Sequence, residues 1–178
     1  MKKRILSTIA IFIGFVLMVT SCVKDEEGTI IGVGDEVPFF SVTLSDGSSV
    51  SSESILGSPS VIVFFNTSCP DCRQELIAIQ KVYDIYKSFV DFVVISRNEG
   101  DSSIQKYFAS HDLTMPYSAQ KDRSVYTLFA KSLIPRVYVS DNGGVVKFVH
   151  DDSPIASSDE LKAELSSIMR EGFEVEQR

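Results

Sequence analysis

The stretch PSVIVFFNTSCPDCRQEL, Pro59 to Leu76, constrains the fold more than any other part of the chain. Val61 to Phe65 is a continuous apolar run rich in Val, Ile and Phe, the pattern of a strand buried on both faces of a parallel sheet. Two cysteines separated by two residues follow at its carboxyl end. From Pro70 onward Leu76, Ile79, Tyr83 and Tyr86 recur at helical spacing, and Pro70 suits a helix start because its missing N–H would be unpaired there anyway. A strand thus runs into a helix that opens with Cys69-Pro70-Asp71-Cys72. Phe89 to Ser96 reads as a second buried strand, which completes a right-handed βαβ unit with parallel neighbours.

The flanking segments add elements around this unit. Phe39 to Leu44 and Ser48 to Ser51 flank Ser45-Asp46-Gly47, whose Asp-Gly pair signals a hairpin turn ahead of the core. Ser102 with Gln105 forms a capping-box pattern before Ile104, Tyr107 and Phe108, and a short helix is expected over Ser124 to Lys131. IPRVYVSDNGGVVKFVH reads as strand, turn at Asn142-Gly143, and returning strand, an antiparallel hairpin. A last helix starts with Ser157 capping toward Glu160 and buries Leu161, Leu165, Ile168 and Met169. No internal repeat or low-complexity segment interrupts the pattern.

The chain has 178 residues, 44% of them hydrophobic, enough for one domain with its own core. Its beginning, MKKRILSTIAIFIGFVLMVTSC, is a basic start, an apolar run from Ile5 to Val19 and then small residues, which is a secretory leader. The run falls short of the roughly 20 apolar residues of a spanning helix. Val19-Thr20-Ser21-Cys22 resembles the lipobox of bacterial lipoproteins, which implies cleavage before Cys22 and acylation of its thiol. The expected organisation is a signal peptide over 1–21, a polar tether over 22–36, one domain over 37–172 and a tail over 173–178. Lys24-Asp25-Glu26-Glu27 resembles the signal that sends some lipoproteins to the cell surface, and reads equally as a solvated spacer.

Charge excludes one class of partner. Seventeen basic against twenty-four acidic residues give −7, and loss of Lys2, Lys3 and Arg4 leaves fourteen against twenty-four, −10. A domain so acidic lacks the clustered Lys and Arg that nucleic acid requires. Three cysteines in an exported chain resolve into one lipidated residue and one pair, and that pair sits in an oxidising compartment.

At a strand-to-helix junction the two sulfurs of a Cys-x-x-Cys point to one side and can close a small disulfide ring. Cys69, at the helix start, meets the positive end of the dipole and unpaired N–H groups, so its thiol pKa is expected below the free value of about 8.5. Cys72, one turn in, keeps its proton longer. This suits two-step exchange, in which Cys69 attacks a substrate disulfide and Cys72 resolves the mixed disulfide.

Strand, Cys-Pro-Asp-Cys, helix, strand, and a later Ile134-Pro135 opening a hairpin resemble the thioredoxin fold: α/β, three layers, a central mixed sheet. The lipoprotein leader, the added N-terminal β-hairpin and Glu75 three residues beyond Cys72 are most similar to the TlpA/ResA group of membrane-tethered thiol-disulfide oxidoreductases, over roughly Asp35 to Arg170. The resemblance implies a cis-proline at Pro135 facing the disulfide, an Ile134 backbone that pairs with a substrate strand, and Pro70 beside the substrate. It requires no cofactor and no metal. Implied partners are disulfide-containing envelope proteins, a membrane thiol electron donor, and the membrane itself through the lipid anchor.

The same resemblance weights the reading of Glu75. An acidic residue in the first turns of a helix is favoured by the dipole and can simply face water. In the functional alternative, a partly buried carboxylate beside Cys72 raises its own pKa and those of the cysteines, and accepts the Cys72 proton. Two departures from the group stand out: it commonly has Trp just ahead of the first Cys and Pro just before the second, where this chain has Thr67-Ser68 and Asp71, and no Trp occurs anywhere. Asp71 opposes a thiolate at Cys69 through like charge, so a less oxidising couple is expected than in the group's strongest oxidants.

Other uses of a cysteine pair fit less well. A zinc site needs three or four ligands, and only His111 and His150 are available to help. His111 reads as packing or solvent-facing, and His150 as part of a surface turn beside Asp151 and Asp152. A copper(I) carrier or metallochaperone, served by two thiolates alone, is the alternative function. A peroxiredoxin requires Pro-x-x-x-Thr/Ser-x-x-Cys, and Ile62 and Asn66 stand where Pro and Thr should precede Cys69. A purely structural bridge across two residues constrains little of the unfolded chain.

Overall fold

The computed structural model describes residues 30–176, with side chains through Gly172. The leader, the lipobox with Cys22 and Lys24 to Glu27 lie outside the described residues. Among the described residues seven strands and four helices follow one another as β1 (Ser41–Thr43), β2 (Ser49–Ser51), β3 (Ser60–Phe65), α1 (Pro70–Tyr86), β4 (Asp91–Ser96), α2 (Asp101–Ser110), β5 (Tyr117–Ser118), α3 (Tyr126–Phe129), β6 (Arg136–Ser140), β7 (Val146–His150) and α4 (Ser158–Glu176).

The central sheet has five strands in the order β5-β4-β3-β6-β7. β3 pairs in parallel with β4 and antiparallel with β6, so the sheet is mixed and β3 lies at its centre. That position explains why every residue of β3 is buried. Val61, Val63 and Phe65 point into a core shared with α1, α2 and α4, while Ile62 and Phe64 point into a second core with Phe40, Val42, Tyr126 and Phe129. Helices on one face, sheet, then hairpin and α3 on the other make the three layers of a thioredoxin-like fold. The hairpin β1-β2 forms its own two-stranded sheet and packs on the second core.

The structure departs from several of these expectations. Residues 30–36, read as tether, are part of the domain: Ile30 and Ile31 N–H groups donate to the Phe129 carbonyl, and Glu36 bridges to Val145 beside β7. Backbone pairing of this kind leaves no apolar periodicity, which is why the segment reads as polar spacer. At the other end α4 continues past 172 to Glu176. The Ser102–Gln105 pattern is not a cap, because α2 begins at Asp101 with Gly100 at the N-cap and no side-chain cap bond. The turn between β6 and β7 places Gly144 at φ +77°, a left-handed conformation that glycine adopts without a Cβ penalty. By contrast Ser157 and Glu160 do form the reciprocal box at the start of α4, the Glu160 N–H donating to Ser157 Oγ at 3.2 Å.

Candidate active site

The site is built where β3 ends. Cys69 is the N-cap of α1, with extended backbone at φ −84° and ψ 122°, and Pro70 follows in the first turn. The Cys72 N–H donates to Cys69 Sγ at 3.3 Å, so the outer sulfur receives one of the amides that a helix start leaves unpaired. Cys69 is half-buried and Cys72 fully buried, both as free thiols. Burial, then the hydrogen bond with Cys69, then the charges of Cys69 and Glu75 push the Cys72 thiol far above its ordinary value. The outer cysteine is thus reachable and the inner one holds its proton.

Glu75 lies one turn further along α1 and is only 1% exposed. Burial raises its carboxyl to about 7, against the lowering effects of the Ala156 N–H and of His150. Of the two readings of this residue, the solvent-facing one is excluded. Facing the N-cap of α1, Ile134-Pro135 is a cis peptide, and Cys69 Sγ donates to the Ile134 carbonyl at 3.7 Å. Pro70 is exposed beside Cys69. Six of the seven expected site residues, Cys69, Pro70, Cys72, Glu75, Ile134 and Pro135, therefore lie on the start of α1 or on the loop that its N-cap sulfur touches. The seventh, Cys22, lies outside the described residues.

Supporting contacts were not legible in the sequence. Glu99, in the loop after β4, accepts the Thr67 N–H at 2.6 Å and the Thr67 hydroxyl, which fixes the segment just before Cys69. Ser96 Oγ donates to the Glu99 carbonyl at 2.9 Å, and the Arg73 guanidinium bonds the Thr67 carbonyl while lying over the Tyr107 ring. Under the Ile134-Pro135 loop, Tyr126 donates to the Leu133 carbonyl at 2.7 Å and buried Arg136 donates from Nε to the Ser132 carbonyl at 3.2 Å. These contacts involve loop backbone and polar side chains, which leave no hydrophobic period to read.

The two histidines divide. His111 is exposed just beyond α2 and stacks on Tyr107, far from ligand duty. His150 departs from the surface-turn reading: its side chain is 13% exposed and its Nε2 lies 3.0 Å from Glu164, because the end of β7 packs under α4. Among the described residues no group of three or more His, Cys, Asp or Glu is placed to hold a metal ion. Ile62, where a peroxiredoxin would carry its proline, is fully buried inside β3.

A family model described as the AhpC/TSA family matches residues 33–149, about two thirds of the chain. The chain belongs to the AhpC/TSA family. The thiol-disulfide oxidoreductase ResA of Bacillus thuringiensis subsp. konkukian is 24% identical over 152 residues, spanning 82% of this chain and 86% of ResA. The thioredoxin-like protein YneN of Bacillus subtilis is 26% identical over 145 residues, 80% of this chain and 84% of YneN. In fold, the chain resembles the solution structure of a candidate protein disulfide isomerase from Bacteroides thetaiotaomicron, with a TM-score of 0.74 at 21% identity over 85% of this chain and 99% of that one. This AhpC/TSA member thus has a thioredoxin-like fold and is a thioredoxin-like thiol-disulfide oxidoreductase.

Proposed function

We propose that this protein exchanges disulfides with protein substrates of the cell envelope through Cys69 and Cys72, and that it works in the reducing direction. The observation that carries the reading is the difference in burial along the start of α1: Cys69 half-buried at the N-cap, Cys72 fully buried three residues on, and Glu75 buried one turn further along the helix. Cys69, as thiolate, attacks one sulfur of a substrate disulfide, and the other sulfur leaves as thiolate. Glu75 takes the Cys72 proton, and the Cys72 thiolate attacks Cys69 Sγ. A Cys69–Cys72 disulfide forms and the substrate departs with two thiols. A membrane thiol donor then returns the pair to the reduced form. Ile134 and Pro135 line the opposite wall, where a substrate strand meets the cleft, and Pro70 borders it.

The surroundings of the buried sulfur support the reducing direction. Strong oxidants of this type stabilise their reduced thiolate form. Here burial and the Glu75 charge disfavour thiolate at Cys72, which supports a reducing couple. The lipobox ending at Cys22 supports attachment to the envelope through an acylated cysteine, facing the periplasm or displayed at the surface. No helix among the described residues is long and apolar enough to cross a membrane. Insulin reduction with a thiol donor, run beside a copper(I) titration, tests the function. Turnover that Cys69→Ser abolishes is expected; stoichiometric copper binding without turnover would replace this reading with that of a copper carrier.

A further inference from the structure

Among the described residues, two other than glycine hold a left-handed backbone: Asp112 at φ +53° and Leu133 at φ +70°. An aspartate enters that region at little cost, because its short polar side chain can hydrogen-bond locally. A leucine enters it against the clash of its Cβ with the backbone, and glycine would sit there freely. Leu133 gains no burial in return, because it is 42% exposed. Neither backbone conformation nor core packing therefore accounts for a leucine at this position.

The loop that carries it is fixed by buried donors. Tyr126 on α3 is 1% exposed, and its hydroxyl donates to the Leu133 carbonyl at 2.7 Å. The Tyr126 ring packs edge-on against Phe64 of β3 with centroids 5.5 Å apart, so the hydroxyl is held by the second core. Arg136, at the start of β6 and also 1% exposed, donates from Nε to the Ser132 carbonyl at 3.2 Å. The next carbonyl after Leu133, that of Ile134, is the one that Cys69 Sγ meets at 3.7 Å. Three consecutive carbonyls, of Ser132, Leu133 and Ile134, are thus engaged in turn by Arg136, Tyr126 and the outer cysteine. A conformation with a steric cost persists only where its surroundings enforce it, and such positions gather at binding sites.

We propose that Leu133 is a specificity-determining residue for disulfide exchange: its exposed side chain takes an apolar side chain next to the substrate cysteine under attack, and Tyr126 is the positioning residue that presents it. The inference rests on the exchange function proposed above and adds a substrate class to it, protein disulfides flanked by apolar residues. Continuity with the exchange site names the occupant of this surface, because a segment bonded to Cys69 Sγ lies beside the Ile134 carbonyl, one residue from Leu133.

Two cyclic peptide disulfides, identical except that each cysteine is flanked by Leu in one and by Ser in the other, test the inference with the full chain. The rate constant for mixed-disulfide formation is measured with each peptide and divided by that peptide's rate with free dithiothreitol, which removes differences in intrinsic reactivity. The ratio of the two normalised rates then divides out any general loss of activity in a variant. In the wild type the Leu peptide should react about three- to tenfold faster, the factor expected when roughly half of a leucine side chain leaves water. Leu133→Gly, which accepts the left-handed backbone, and Leu133→Asn, which tolerates it and is polar, should both bring the ratio to about one. Tyr126→Phe removes only the hydroxyl and should lower the ratio part of the way. A wild-type ratio near one, or a preference that survives both Leu133 variants, overturns the inference. A preference lost in those variants and intact in Tyr126→Phe overturns the role given to Tyr126. A wild-type protein that reduces neither peptide overturns the exchange function instead, and the NMR methyl resonances of Leu133 then decide the inference. Shifts on adding the Leu peptide and not the Ser peptide support it; equal shifts with both, or none with either, overturn it.

Discussion

Cys72 and Glu75 lie one turn apart on the same face of α1, and both are shut off from solvent at 0% and 1% exposure. Burial opposes ionisation of both groups. Glu75 contributes to the rise of the Cys72 thiol, and burial holds Glu75 itself at about 7. Near neutrality Cys72 holds its proton while Glu75 titrates, so Glu75 is the group of the two that can accept a proton there.

The first prediction concerns stability. The Glu75 carboxyl is raised from 4.5 to about 7 on folding, so the folded chain holds a proton that the unfolded chain has lost between those values. Stability should therefore fall as pH rises through that window, by up to about 3 kcal/mol. Glu75→Gln keeps an acceptor for the Ala156 N–H and removes the titration. Urea unfolding at pH 5 and pH 8 should show a wild-type loss that the variant lacks; parallel losses would mean Glu75 does not titrate in this range.

In the same variant the Cys72 thiol should ionise at lower pH, because a negative neighbour is gone, while release of the mixed disulfide slows for want of a proton acceptor. pH-dependent alkylation and single-turnover reduction measure the two effects separately. Unaltered thiol titration would reduce Glu75 to a buried helix residue.

Glu99→Ala should destabilise the fold by about 1–3 kcal/mol, the cost of leaving the partly buried Thr67 N–H without its acceptor. It should also loosen the segment that leads into Cys69, raising hydrogen exchange at Thr67 and Ser68. Protection equal to wild type at both amides would show that the Glu99 contact does not order the loop.

Cys22→Ala should abolish labelling by a palmitate analogue and release the protein from the membrane fraction. Persistent labelling and fractionation would refute the lipobox reading.

The parts of this molecule that sequence reveals are those with a period or a local chemistry. The doubly buried run of β3, the helical stripe of α1, the Asp46-Gly47 turn and the Ser157–Glu160 box were all readable, because each depends on residues a few positions apart. Cys69, Cys72 and Glu75 share one helix, so their grouping was readable as well. Ile134 and Pro135 were assigned through family resemblance alone, since nothing in their own neighbourhood distinguishes them. Glu99 on Thr67, His150 on Glu164 and Ala156 on Glu75 were not readable, because such pairs meet only after the sheet has assembled. Residues 30–36 were misread for a related reason: backbone bonds to Phe129 and Val146 impose no side-chain pattern.

The central claim is that Cys69 attacks and Cys72 resolves, and trapping in intact cells tests it most directly. With Cys72→Ser the resolving thiol is absent, so mixed disulfides between Cys69 and envelope proteins should accumulate on non-reducing gels. With Cys69→Ser few should form, because Cys72 is buried and holds its proton. Accumulation in Cys69→Ser but not in Cys72→Ser would reverse the roles assigned here, and absence of mixed disulfides in both would contradict the exchange function itself.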